Sequence, residues 1–256
     1  MFDLTPSYYI FEDVNETVVQ LFVGWHQEGR GGSVLDIGCG RGLLGREVAA
    51  LGFNVTGVES NPAARDLAAT RLGAVFAFDL TNFAEVAATL GAQRFDFILF
   101  ADVLEHVPDP LSVLKFYRQF LRDGGQVVIS LPNIGVWDRR LALLFGHFDY
   151  ADSGVMDRTH LRFFTFQTAA LLVQEAGMKT LTVGGDPGIV RAFLFLIKPF
   201  FAPRTPEAGT DPGAIINSAS YRLYRKWVLP AERAICRLRR PLLCFRVVLV
   251  AAPDSP

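Results

Sequence analysis

Carboxylates in this chain recur at one kind of place, the ends of short apolar runs. Val34-Leu35-Asp36-Ile37 passes straight into the alternating glycines Gly38, Gly40 and Gly42; Asn54 to Val58 ends at Glu59, Ala74 to Phe78 at Asp79, and Phe95 to Ala101 at Asp102. An acid after one strand is unremarkable in a solvated loop, but four in register form a rim that can accept hydrogen bonds from a ligand's hydroxyl and amino groups. Glycines are needed where a ligand or another backbone must approach the main chain closely. Two imidazoles stand in polar runs nearby, His106 in Asp102-Val-Leu-Glu105-His106 and His160 in Asp157-Arg158-Thr159-His160-Leu161-Arg162. An imidazole titrating near neutrality can take a proton from a hydroxyl.

These residues need a scaffold that puts strand ends side by side. Glu12 to Gln27 has a helical stripe of Val14, Val18, Leu21, Phe22 and Trp25. Arg30-Gly31-Gly32 ends it and launches a first strand, Ser33 to Ile37, followed by a helix from Leu43 to Leu51. After the second strand, Asn61-Pro62 offers an N-cap with proline at the first helical position, predicting a helix to about Leu72. A third strand spans Ala74 to Phe78, a helix Phe83 to Leu90, and a fourth strand Phe95 to Ala101, apolar enough for burial on both faces. Asp109-Pro110 caps a further helix, which Asp123-Gly124-Gly125 is expected to stop before a fifth strand, Gln126 to Leu131. Strands alternating with helices imply βαβ units and a parallel sheet, whose ligands gather at the carboxyl ends of the strands. Beyond it, Val136 to Phe164 reads as a segment on the substrate side, Thr165 caps a helix to about Glu175, and Lys179 to Val183 and Leu243 to Val250 are the last two strands.

Composition narrows the class. At 256 residues, 50% hydrophobic, the chain supports one α/β domain with a substantial core. A formal net charge of -1 argues against a general nucleic-acid binder. Three scattered cysteines, Cys39, Cys236 and Cys244, suit neither a disulfide framework nor a zinc site. Met1 to Ile10 contains Asp3 and Pro6 and no basic segment, so no export signal is expected and the cytoplasm is the expected compartment. The apolar stretch Ala192 to Ala202 is broken by Lys198 and Pro199 and falls short of the ~20 residues that span a bilayer.

A dinucleotide-binding turn would read Gly-x-Gly-x-x-Gly, but its third glycine would fall on Leu43. The pattern Asp36-x-Gly38-x-Gly40-x-Gly42 instead resembles motif I of the class I S-adenosylmethionine-dependent methyltransferases. Glu59 matches the acid that holds both ribose hydroxyls in that family, and Phe78-Asp79-Leu80 the site of the adenine ring. The stretch Phe97 to Pro110 closely resembles the segment after strand four in small-molecule O-methyltransferases, including those of ubiquinone biosynthesis. The likeness spans Ser33 to Gly177. It implies a doubly wound, Rossmann-like sheet of seven strands in the order 3-2-1-4-5-7-6, with strand seven antiparallel. It also implies S-adenosylmethionine contacts from Asp36, Gly38, Cys39, Gly40, Glu59, Ser60, Phe78, Asp79, Leu80, Ala101 and Asp102. Cys39 alone among these reads equally as packing.

Within that family His106 would lie where the sulfonium methyl points, and is the expected general base or, equally, a scaffold of the pocket. His160 is expected to line the same pocket; the run around it resembles a segment of bacterial methyltransferases of sugar, lipid and secondary-metabolite pathways. Asp102-x-x-Glu105-His106 also resembles the Glu-x-x-Glu-His metal-binding segment of ubiquinone-biosynthesis and RNA 3′-terminal methyltransferases, which His160 could complete. Asp102 is one methylene shorter than the glutamate of that pattern, so metal-independent transfer is expected. Tyr8 and Tyr9 match the place of a lid over the cofactor. His26 and His147 have no motif around them and are expected to be structural.

The expected organisation is a single domain, 1–256: an N-terminal lid and helix (1–30), a cofactor-binding core (31–184), an inserted cap (185–240) and a final strand with tail (241–256). An insertion of about 55 residues is functional or flexible. It holds the apolar stretch just named, a Pro/Gly-rich linker from Pro203 to Gly213 and a basic run with Arg222, Arg225, Lys226, Arg233, Arg237, Arg239 and Arg240. A substrate cap, a peripheral membrane contact or a dimer contact through 189–240 all fit. The expected activity is methyl transfer to a small-molecule acceptor, most simply a hydroxyl of a lipid-like, sugar or secondary metabolite. A small amine acceptor and a cofactor-holding, non-catalytic subunit are the alternatives.

Overall fold

Residues alternate between the two faces of the central strand β4 (Phe95–Ala101): Phe97 and Leu99 join one buried cluster, Ile98 and Phe100 another. A strand apolar on both sides must be covered on both sides. The computed structural model describes residues 14–188 and 223–254 and shows that cover. The remaining strands are β1 (Ser33–Ile37), β2 (Asn54–Val58), β3 (Ala74–Phe76), β5 (Leu121–Pro132), β6 (Met178–Pro187) and β7 (Cys244–Pro253). They form a seven-stranded sheet ordered β3-β2-β1-β4-β5-β7-β6. β7 is antiparallel to both β5 and β6, and the other pairings are parallel, as the family resemblance implies.

One face is covered by α1 (Glu16–Gln27), α2 (Leu43–Ala49) and α3 (Pro62–Ala69), which contribute Val18, Phe22, Trp25, Val48 and Ala68. The other is covered by α4 (Phe83–Leu90), α5 (Pro110–Tyr117) and α7 (Phe166–Glu175), through Val86, Leu90, Val113, Leu114, Tyr117, Ala169 and Val173. α6 (Trp137–Leu144) follows β5; α8 (Leu229–Cys236) and α9 (Arg240–Leu243) precede β7. Side-chain caps fix where the helices begin: Asn15, Asn61, Asn82, Asp109 and Thr165 each accept from a backbone N–H three residues on. Such a cap contributes about 1 kcal/mol.

Several boundaries differ from the sequence reading. β3 ends at Phe76 rather than Phe78, which puts Phe78-Asp79-Leu80 in the loop beyond the strand, and α3 ends at Ala69 rather than Leu72. α5 stops at Tyr117 in a 3-10 turn, Arg118–Phe120, and β5 already begins at Leu121. Asp123-Gly124-Gly125 therefore does not end a helix. It forms an excursion within β5, between the pairs Phe95↔Leu121 and Phe97↔Gln126, with Gly124 at φ 75. β6 runs on through Gly185, where a Cβ would come within 2.7 Å of the Arg246 carbonyl and 2.9 Å of the Phe166 ring. The insertion thus starts after Pro187, not at Gly185, and ends at α9. Tyr8, Tyr9, the stretch 192–202, the linker 203–213 and Arg222 lie outside the described residues.

Candidate functional site

Each glycine of the turn is left-handed, with φ of 67 at Gly38, 54 at Gly40 and 74 at Gly42. A Cβ on Gly38 would lie 2.7 Å from the Val103 side chain, and one on Gly42 3.1 Å from the Ala68 backbone. No other residue permits this backbone at these approaches. Asp36 is buried beneath the turn, its Oδ2 3.2 Å from where a Cβ on Gly45 would stand. Cys39 is also buried, its sulfur pressed against Gly57. Both support the turn from within, while Gly40 and Ser60 lie nearer the surface.

Glu59 ties the neighbouring strand ends together: one carboxylate oxygen accepts from Gly40 N at 3.0 Å and the other from Asn61 N at 2.7 Å. Burial pushes this carboxyl above its ordinary range, and the N–H groups of Asn61, Gly40 and Ser60 oppose that. At the next strand end Asp79 is exposed, and its Oδ1 accepts from the backbone and hydroxyl of Thr81, both at 2.8 Å. Phe78 is buried and stacked on Phe76. The Leu80 carbonyl is held by the Tyr117 hydroxyl at 3.1 Å, which sets the height of this loop.

Past Ala101 the chain turns sharply at Asp102, the one non-glycine residue among those described with positive φ, at 55. The Ser130 hydroxyl donates to its Oδ1 at 2.8 Å, and Arg246 Nε stands 2.7 Å from its Oδ2. Asn15, at the start of α1, donates to the Ser130 hydroxyl at 2.8 Å, and Arg246 also reaches Asp186. A 3-10 turn, Leu104–His106, follows at once.

That turn buries Glu105 to 1% exposure and leaves His106 half-buried at its mouth. The segment around His160 docks onto the turn's backbone, the N–H groups of Leu161 and Arg162 both donating to the Glu105 carbonyl. His106 and His160 meet edge to face, centroids 4.8 Å apart. His106 Nδ1 lies 3.3 Å from the Thr159 carbonyl, and His160 Nδ1 3.2 Å from that of Val155. A carbonyl only accepts, so each neutral ring carries its proton on Nδ1 and its lone pair on Nε2. Both Nε2 atoms face Glu105 Oε1, at 4.0 Å from His106 and 3.9 Å from His160. Thr159 is itself held by Asp157, which accepts from its backbone and hydroxyl.

The electrostatics of this cluster follow from burial. Among the described residues neither Glu105 oxygen has a hydrogen-bond partner, and desolvation, reinforced by the Asp102 charge, drives its carboxyl well above the ordinary range. Burial lowers both imidazoles, and His106 is lowered further by His160. Burial thus shifts all three groups toward their neutral forms.

The same three residues fit a divalent cation: one ligand atom from each of Glu105, His106 and His160 lies within 4.8 Å of the others. Nδ1–H bonds to carbonyls are the usual outer support of metal-binding histidines. Asp102, which departs from the glutamate of the metal-binding pattern, is turned to Ser130 and Arg246.

The structure brings His106 and His160 together, as the sequence suggested, and arrays the glycine turn, Glu59, Asp79 and Asp102 along one edge of the sheet. Glu105 was visible only as part of a spacing, yet it is the buried centre. Ser130 and Arg246 escaped notice, although a serine and an arginine inside the apolar strands five and seven were the available signals.

Comparison with known proteins gives this geometry its family. A family model described as a methyltransferase domain matches residues 8–183. The ubiquinone biosynthesis O-methyltransferase of Pseudomonas aeruginosa (strain UCBPP-PA14) is 37% identical over 120 residues, 44% of this chain and 51% of that protein. That of Cereibacter sphaeroides (strain KD131) is 39% identical over 103 residues, 39% of this chain and 41% of that protein. The chain thus spans about half the length, or less, of these curated relatives. Among solved structures, a SAM-dependent methyltransferase from Archaeoglobus fulgidus superposes with a TM-score of 0.55 at 17% identity, covering 92% of this chain and 91% of that one. The [4+2]-cyclase SpnF superposes with a TM-score of 0.56 at 16% identity, covering 94% and 82%. At such identities the likeness is one of fold, and the cyclase shows that this fold does not dictate one reaction. With the family match over most of its length, the chain belongs to the class I S-adenosylmethionine-dependent methyltransferases.

Proposed function

We propose that this protein transfers the methyl group of S-adenosylmethionine to a hydroxyl oxygen of a small, apolar-bodied acceptor. The observation that carries this reading is His106, half-buried just past the carboxyl end of β4, with its lone pair on Nε2 and His160 against its ring. Bound S-adenosylmethionine would supply an electrophilic methyl to the acceptor oxygen, with its sulfur as the leaving group, and His106 would take the hydroxyl proton. Glu59 would hold the ribose and the Asp79 loop the adenine. Most of the acceleration would come from aligning oxygen, carbon and sulfur with water excluded.

The surroundings of His160 suit an acceptor with an apolar body. The Phe163 ring centroid is 6.2 Å from His160, and Phe148 and Tyr150 gather around Phe163 at 5.5 and 6.3 Å. An oxygen acceptor is supported by the relatives whose names record O-methylation in ubiquinone biosynthesis.

A second reading rests on the convergence of Glu105, His106 and His160: the three hold a divalent ion, which would lower the pKa of the acceptor hydroxyl. Chelation separates the two. Turnover that survives EDTA supports the base alone; turnover lost and restored by a divalent ion supports the metal. For the reaction itself, the purified protein is incubated with S-adenosylmethionine and panels of phenols, catechols and amines, with S-adenosylhomocysteine and product mass followed together. An O-methyl ether is the expected product, and methylation confined to amines would overturn the oxygen assignment.

A further inference from the structure

α8 has two apolar faces, and among the described residues only one is buried. Leu229, Glu232 and Cys236, three and four residues apart, are buried, and the helix packs on β6. On the outside, Trp227 is 64% exposed and Leu238 78%, with Val228 and Ile235 beside them. Ala231 and Ala234 complete this outer stripe, and both are exposed. Lys226, Arg237 and Arg239 are exposed along it, the Lys226 ammonium 5.2 Å from the Trp227 ring. The sole acid between positions 223 and 243 is Glu232, and it is turned inward. A chain of net charge -1 therefore concentrates cations around one exposed apolar stripe.

The location matters as much as the composition. β6 is antiparallel to β7 and β7 to β5, so β6 ends at the same edge of the sheet as β5. The connection that contains α8 leaves and returns at that edge, which is the edge that carries His106 and His160. α6 leaves it too, and Leu144 and Phe145 at its end are exposed. An exposed apolar patch on a soluble surface marks an interaction site. Charge selects the occupant: a second copy related by a two-fold axis would bring the cations Lys226, Arg237 and Arg239 against the same cationic set. An anionic bilayer satisfies both features, with apolar side chains at the headgroup boundary and cations among lipid phosphates.

We propose that the outer face of α8 and its flanks, from Lys226 to Arg239, docks on an anionic membrane surface. The proposal does not depend on the methyl acceptor. The test is cosedimentation of the full chain with phosphatidylcholine vesicles, with and without phosphatidylglycerol, in low and high salt. Binding should require phosphatidylglycerol and weaken with salt. An Arg237→Glu/Arg239→Glu variant and an Ile235→Glu/Leu238→Glu variant should each bind on the order of tenfold or more weakly. All these side chains are exposed or face outward, so both variants should keep wild-type S-adenosylmethionine affinity by calorimetry, and that measurement guards against misfolding. Should the glutamate variants misfold, Arg237→Gln/Arg239→Gln replaces them, with the same loss expected. Equal binding to neutral vesicles, full retention by the charge variant, or no vesicle binding at all would overturn the proposal. So would a wild-type dimer that Leu238→Glu converts to a monomer without any vesicle binding, which would assign the face to a second copy.

Discussion

Arg246 of β7 reaches past β5 to set its Nε 2.7 Å from the carboxylate of Asp102, the described residue whose left-handed backbone turns the chain from β4 into the His106 turn. A non-glycine residue at positive φ costs on the order of 1 kcal/mol, and persists where its surroundings over-determine it. Here Arg246, Ser130 and the Asp102 N–H bond to the Ser130 carbonyl do so. Arg246→Met would leave Asp102 and Asp186 partly buried without their cation, at a cost of about 3 kcal/mol. Asp102→Asn, which tolerates the left-handed region and can still accept from Ser130, should cost clearly less. Urea unfolding of the two variants checks this order, and an Arg246→Met protein as stable as wild type would refute it.

Glu59 joins Gly40 to Asn61 through one carboxylate and so shapes the turn. Glu59→Ala should weaken S-adenosylmethionine binding by more than ~1 kcal/mol, the scale of a lost charged hydrogen bond. Calorimetry reads this directly, and unchanged affinity would remove Glu59 from the cofactor site.

The Tyr117 hydroxyl is the support of the Leu80 carbonyl in the loop after β3. Tyr117→Phe removes that bond and keeps the ring in the core, so stability should fall by about 1 kcal/mol. If the loop holds adenine, KM for S-adenosylmethionine should rise while kcat stays nearly constant. A fall in kcat alone would show that the hydroxyl acts elsewhere.

What the sequence made legible, and what it hid, divides along a physical line. Apolar periodicity and the acids at strand ends were local signals, and they led to the sheet and to the edge that carries those acids. Boundaries at Asp123-Gly124-Gly125 were misjudged because a glycine pair marks a helix stop and a strand excursion equally well; only the pairing of Phe97 with Gln126 decides between them. Glu105 hid for another reason. A glutamate in a polar run reads as solvated, and its burial arises because a segment distant in sequence folds back onto its carbonyl through Leu161 and Arg162. The Asp102–Arg246 pair, 144 residues apart, is likewise a product of strand order alone.

Glu105 should make stability fall with rising pH. Its folded carboxyl titrates well above the ordinary value, because of burial and then the Asp102 charge, while in the unfolded chain it ionises near pH 4.5. Above that pH the unfolded state releases a proton that the folded state keeps, so folding is increasingly disfavoured until the folded carboxyl also ionises. Glu105→Gln mimics the protonated form and lacks this penalty. With a chelator present, the melting temperature of the variant should gain on that of wild type as pH rises from about 4.5 toward neutrality. Parallel profiles for the two proteins would mean that Glu105 is ionised in the folded state.

The last expectation concerns the proton of the acceptor. His106 has its lone pair on Nε2, fixed by the Nδ1 contact with the Thr159 carbonyl, and it titrates below the ordinary imidazole value because of burial and then His160. A base works only when unprotonated, so the rate should rise with pH through that lowered pKa and level off by neutrality. The limb lies on the acid side of the ordinary value, about 6.5. His106→Ala should lower turnover on the order of 10²-fold or more, abolish the limb and leave cofactor affinity nearly intact. His160→Ala should act differently. It admits water to His106 and relieves the lowering that His160 exerts on it, both of which raise the His106 pKa, so the limb should persist and move toward alkaline pH. Rate–pH profiles of the three proteins with one acceptor, in the presence of a chelator, distinguish the roles. An His106→Ala enzyme with full turnover would leave alignment of acceptor and methyl as the whole mechanism. An unmoved limb in His160→Ala would show that the two rings are not electrostatically linked.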